Sequence, residues 1–153
     1  FGTVANKKLV ILGFAFKANT NDTRESAAIT ICKNLLNEGA DLIIYDPKVC
    51  PSQIGTDLET NPITYLELGK VNENQDYGRW TFCDNLDNNE VFKNVCAVII
   101  LTEWAEFRKV NWKAVRTKMV SPGWVFDSRL IANGKEVKEA GLNLWSLGDG
   151  HNN

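Results

Sequence analysis

Short, unbroken apolar runs recur along the chain, each closed by a glycine, a polar turn or an acid. Leu9-Val-Ile-Leu12 stops at Gly13, Leu42-Ile-Ile-Tyr45 stops at Asp46-Pro47, Ala97-Val-Ile-Ile-Leu101 is the strongest run, and Trp124-Val-Phe126 ends at Asp127. Consecutive apolar residues, rather than alternation, mark strands buried on both faces, as in a parallel sheet. Weaker runs at Trp80–Cys83 and Leu142–Ser146 bring the strand count to about six. Between the first two runs, Ile29, Cys32, Leu35 and Leu36 recur at helical spacing from about Ser26, and Gly39 is the matching stop. Asp22 with Glu25, or Thr23 with Ser26, are the cap candidates for that helix. A short helix is expected around Asn89–Lys93. An amphipathic helical region follows through Trp104, Phe107, Val110, Trp112 and Val115, and another helix lies near Gly134–Ala140. Residues 47 to about 79 are polar and irregular and read as a long, partly helical insertion without a functional signal. The alternation predicts an α/β fold, a doubly wound, Rossmann-like, mostly parallel sheet of about six strands in a three-layer αβα arrangement.

Composition narrows this only in part. The 153 residues suffice for one domain with a substantial core, and a net charge of −2 argues against a general nucleic-acid or membrane-binding surface. No apolar run is long enough to span a bilayer. The start at Phe1 reads as a piece of a larger protein: residues 1–7 as the end of a connecting segment, 8–148 as the domain and 149–153 as a tail. Cys32, Cys50, Cys83 and Cys96 form no C-x-x-C pair, and His151 is the single histidine, so no metal site is expected. Cys32 and Cys96, in apolar surroundings, are expected to be buried thiols, and reduced cysteines suit a cytoplasmic location.

Candidate chemistry gathers where strands end. Three loops follow strand carboxy ends: 13–24, Thr102-Glu103-Trp104 and Asp127-Ser128-Arg129. In an open α/β sheet, ligands bind in the crevice beyond those ends, at the switch point between the first and fourth strands. Lys17, Arg24 and Arg129 should therefore converge on one edge beside a helix amino terminus, where charge and dipole both favour an anion. Cations so placed suit phosphates, bound by Arg as a planar fork and by Lys as a point charge. Phe14 and Phe16 could pack a ring or simply wall the loop. Glu103 is expected to cap the following helix, and Asp22 and Glu25 to be caps rather than catalytic carboxylates. Asp46 stands where a dinucleotide-binding fold keeps its ribose acid, but the first loop has no G-x-G-x-x-G, so a turn-forming role is expected instead. No nucleophile–base pair is present, and residue chemistry alone stops at an α/β domain that binds a phosphorylated ligand.

The loop Gly13-Phe-Ala-Phe-Lys-Ala-Asn-Thr-Asn-Asp-Thr-Arg-Glu-Ser26 resembles the G-[FL]-A-F-K-x-x-T-x-D-x-R-E-S segment of the nucleotide-sugar dehydrogenases. The likeness continues in register through Ile44-Tyr-Asp-Pro-Lys-Val49, Leu101-Thr-Glu-Trp104 and Val125-Phe-Asp-Ser-Arg129. It is nearest to the eukaryotic-type members that oxidise UDP-glucose to UDP-glucuronate with two NAD. The resemblance implies a C-terminal UDP-binding domain, separated from an N-terminal NAD domain and a central region that carries the catalytic cysteine. No cysteine here lies in a matching context, so no catalytic residue carries over and the chain alone should be inactive. Phe16, Lys17 and Arg129 carry over as contacts to UDP-glucose, and Arg24 as the residue reaching toward NAD. A homo-oligomer is expected for the full-length protein. Leu130 departs from the family, many members having a second basic residue or Asn there, and Ala18-Asn19 replaces the common Lys-Asp or Pro-Asn pair. The rival readings are a domain acting on GDP-mannose or a UDP-amino sugar, and a module that serves mainly for oligomerisation.

Overall fold

A computed structural model describes residues 2–73 and 76–146; the expected tail at 149–153 and the boundary at 148 lie outside these residues. Six strands form one sheet: β1 (Lys8–Leu12), β2 (Asp41–Tyr45), β3 (Arg79–Cys83), β4 (Ala97–Ile100), β5 (Trp124–Asp127) and β6 (Asn143–Ser146). Their order is β3-β2-β1-β4-β5-β6, and every pairing is parallel. The switch point therefore falls between β1 and β4, as the apolar runs predict. Val10, Ile11, Leu12, Ile43, Ile44 and Val98 have no exposed surface, which is why the central runs show no alternation.

The helix α1 (Ala27–Asn37) turns Ala28, Cys32 and Leu36 onto the sheet. Ser26 caps it, its hydroxyl accepting from the Ala28 N–H and donating to the Phe14 carbonyl. The cap is thus neither Asp22 nor Thr23. Gly39 stops the helix at a φ of 90°, with its N–H on the Leu36 carbonyl.

The 47–79 stretch holds two short helices, α2 (Pro51–Leu58) and α3 (Tyr65–Leu68). The guanidinium of Arg79 on β3 ties α3 down by binding the Leu68 and Lys70 carbonyls and the Asp41 carboxylate. The short helix expected near Asn89 is a 3-10 turn over Asp87–Phe92. The helical region from Trp104 breaks in two at Val110: a 3-10 turn (Ala105–Lys109) and α4 (Trp112–Lys118). Val110 is extended, and the Asn111 side chain accepts from the Ala114 N–H to start the second piece. The last helix, α5 (Gly134–Glu139), is capped by Asn133. Cys32 is buried as expected, but Cys96 is only half-buried, because it precedes β4 at the amino edge of the sheet.

Right-handed crossovers put α1 and α2 on one face and α4 and α5 on the other. Among the described residues no helix is long and apolar enough to cross a membrane.

Candidate functional site

The loop after β1 is held by its backbone. Gly13 donates its N–H to the Tyr45 carbonyl, and the Phe14 and Ala15 N–H groups both bind the Asp46 Oδ2, at 2.8 and 2.9 Å. Carbonyl partners complete the anchorage: Phe14 takes the Ser26 hydroxyl and Ala15 the Thr102 hydroxyl, 2.9 Å away. Gly13 itself is required by space, since a Cβ there would stand 2.4 Å from the Thr102 Cβ, at a φ of +99°. The Asp46 Oδ1 meanwhile accepts from the Lys48 and Val49 N–H groups, and Oδ2 takes the Trp104 indole N–H at 3.1 Å. Asp46 is therefore a turn former and also the anchor of the loop. With five donors on its two oxygens, it keeps no lone pair for a ribose.

Rigid anchorage at Gly13–Ala15 leaves the next residues outward. Phe16 is 40% exposed. Lys17 is exposed and has no ion-pair or hydrogen-bond partner among the described residues. Phe14, by contrast, has no exposed surface and belongs to the core. Arg129, after β5, reaches back across the sheet edge, with its Nε 3.1 Å from the Leu101 carbonyl and an Nη 3.4 Å from the Phe16 carbonyl. Its backbone N–H and that of Ala132 are fixed by the two oxygens of buried Asp127, at 3.0 and 2.8 Å.

Glu103 does not cap a helix; the following 3-10 turn has no side-chain cap. Its Oε2 instead accepts from the Ala18 N–H at 3.4 Å, and its Oε1, shielded from solvent, lies 3.7 Å from the Arg129 Nε. The carboxylate thus lies between the Lys17 loop and Arg129. Leu130, next to Arg129, is 64% exposed at a φ of 58°, a backbone region that suits asparagine better than leucine.

Arg24 is arranged differently from Lys17 and Arg129. Its guanidinium makes a two-pronged pair with Asp22, at 3.0 and 2.8 Å, while 88% of the side chain stays exposed. The Arg24 side chain and then its backbone N–H hold the Asp22 carboxyl down at about 2. The structure thus joins Arg129 to the Phe16-Lys17 loop and leaves Arg24 on the outer, solvent side of the same loop. Asp46, Glu103 and Thr102, which do the holding, were recognisable in sequence only as a turn former, a cap and a loop residue.

Residues 10–134 match the sequence profile of the UDP-glucose/GDP-mannose dehydrogenase family, UDP binding domain. The chain is 40% identical over 148 residues to a UDP-glucose 6-dehydrogenase of Drosophila melanogaster, covering 97% of this chain and 29% of that protein. It is 38% identical over 154 residues to UDP-glucose 6-dehydrogenase 4 of Arabidopsis thaliana, again covering 97% of this chain and 31% of the relative. Among solved structures, an NDP-N-acetyl-D-galactosaminuronic acid dehydrogenase from Methanosarcina mazei superposes with a TM-score of 0.68 at 19% identity, over 95% of this chain and 25% of that one. The chain thus spans about a third or less of the length of the proteins it matches.

Proposed function

Since the chain belongs to the UDP-glucose/GDP-mannose dehydrogenase family, as its UDP-binding domain, we propose that it holds UDP-glucose for an NAD-dependent UDP-glucose 6-dehydrogenase. The observation that carries the reading is the Phe16-Lys17-Arg129 group. A free ammonium and a guanidinium fixed by backbone and carboxylate stand together beyond the switch point, next to an exposed ring. Lys17 supplies a mobile point charge and Arg129 a fixed fork, which together suit a diphosphate. The Phe16 ring offers an apolar surface to the attached sugar or base.

The cofactor NAD accepts the hydrides in such an oxidation. This domain suits a minor part in holding it: the loop has no glycine-rich phosphate cradle, and Asp46 is saturated. Arg24, solvent-facing on the same loop, is the residue placed to reach toward it. The oxidation itself belongs to the N-terminal NAD domain and the central region of the intact protein, a homo-oligomer in the cytoplasm. This chain orients the substrate and contributes no catalytic residue, so alone it is inactive.

Titration calorimetry of the intact protein tests the reading. UDP-glucose should bind in preference to GDP-mannose, and Lys17→Ala or Arg129→Ala should each weaken it about 10- to 100-fold, the worth of one charge-assisted hydrogen bond. Preference for GDP-mannose would reassign the substrate. Unchanged affinity in both variants would remove the ligand role and favour an assembly module.

A further inference from the structure

A cavity of about 460 Å³ lies where the 3-10 turn at Ala105–Lys109 and the start of α4 meet α5. It shares no residue with the Phe16-Lys17-Arg129 group. Arg108 and Lys109 from the turn and Lys113 from the first turn of α4 line one side. Glu136 and Glu139, three residues apart and so on one face of α5, line the other. Opposite charges around one small space ordinarily pair. Among the described residues, none of these side chains makes an ion pair or a hydrogen bond. The cavity keeps a cationic wall and an acidic wall apart.

Trp112, at the start of α4, also lines the cavity and is only 1% exposed. Its indole N–H is shielded from solvent and finds no acceptor among the described residues. The other deeply buried indoles are satisfied: Trp80 donates to the Thr60 carbonyl and Trp104 to Asp46. A buried donor without an acceptor is costly, and beside a charged cavity it points to a group from outside the chain.

The chemistry of that group follows from the lining. An indole N–H can only donate, and the cations outnumber the carboxylates, so the cationic wall calls for an anion rich in acceptor oxygens. Phosphate meets this, with Arg108 as a planar fork and the two lysines as point charges. Ionised carboxylates only accept, so the end of the ligand that faces Glu136 and Glu139 must carry donors. Hydroxyl groups supply them, and the volume suits a molecule the size of a hexose phosphate.

We propose that this cavity is a ligand site, separate from the Phe16-Lys17-Arg129 group, that binds a phosphorylated sugar. The phosphate sits on Arg108, Lys109, Lys113 and the Trp112 N–H, and the sugar hydroxyls donate to Glu136 and Glu139.

Titration calorimetry with glucose 1-phosphate tests this on the intact protein carrying Lys17→Ala and Arg129→Ala, so that the strand-end group does not contribute. Binding with a Kd of about 1 mM or below is expected, with inorganic phosphate at least about tenfold weaker. Adding Lys113→Ala or Arg108→Ala, both exposed positions, should weaken glucose 1-phosphate at least about tenfold. Trp112→Phe removes the donor and should weaken it as well; should that variant fail to fold, the two surface variants carry the test. Glu139→Ala should weaken glucose 1-phosphate and leave inorganic phosphate no weaker. Absence of binding, or affinity unchanged in both Lys113→Ala and Arg108→Ala, would overturn the proposal. Equal affinity for inorganic phosphate would overturn the assignment of a sugar.

Discussion

The Oδ2 of Asp46, at the end of β2, lies 3.1 Å from the indole Nε1 of Trp104, beyond the end of β4. β1 runs between those two strands, and its outgoing loop donates two N–H groups to the same oxygen. One carboxylate thus ties three strand ends together beneath the candidate site. It is only 3% exposed, so its donors have no water to fall back on. Asp46→Ala should cost at least about 3 kcal/mol in urea unfolding, because several buried N–H groups lose their acceptor at once. Asp46→Asn should cost less but still destabilise, since its amide would turn a donor toward donors. A cost below about 1 kcal/mol for the Ala variant would show that the network is dispensable.

Gly13→Ala confronts the Thr102 side chain and backbone N at 2.4 to 2.7 Å, in a backbone conformation that disfavours a Cβ. The expected cost is about 3 kcal/mol, from strain added to overpacking. Thermal unfolding of the two proteins side by side reads it. A Tm within a degree of the parent would mean that the two loops can part freely.

Glu103→Gln keeps the shape and removes the charge beside Arg129. Stability should shift by under about 1 kcal/mol, because the carboxylate is partly exposed and its two contacts are long. UDP-glucose affinity should fall about three- to tenfold, as an oriented guanidinium loses its guide, and the loss should vanish in an Arg129→Ala background. An equal loss with and without Arg129 would assign Glu103 a role of its own.

The Tyr45 hydroxyl donates to Glu106 at 2.6 Å. Burial, and then this bond to a carboxylate, push its pKa well above the ordinary tyrosine value. Because the folded value is the higher one, the stabilisation is fully present below about pH 10, where unfolded tyrosine titrates, and is lost as pH rises above that. Between pH 8 and 11.5, stability should fall more steeply in the parent protein than in Tyr45→Phe. Parallel curves would mean that the phenol ionises freely in the folded state.

How much of this could be read from the residues depends on the range of the interaction. The strands at Leu9, Leu42 and Ala97, the stop at Gly39 and the closing loops follow from patterns a few residues long, and so was the sheet with its switch point. The helical region from Trp104 kept its apolar pattern but lost its continuity, because an extended Val110 and the Asn111 cap interrupt the backbone without changing the spacing of buried side chains.

The sequence by itself determined the six strands, α1 and α5, the parallel sheet, the family, and Phe16, Lys17, Arg24 and Arg129 as the candidates, since all of these are written in local periodicity and short motifs. The tertiary structure alone decided that Ser26, not Asp22, caps α1, that Asp46 anchors a loop 31 residues away, and that Glu103 lies between that loop and Arg129. A carboxylate's partner is set by which strand ends the sheet brings within about 3 Å, and distance along the chain carries no record of it.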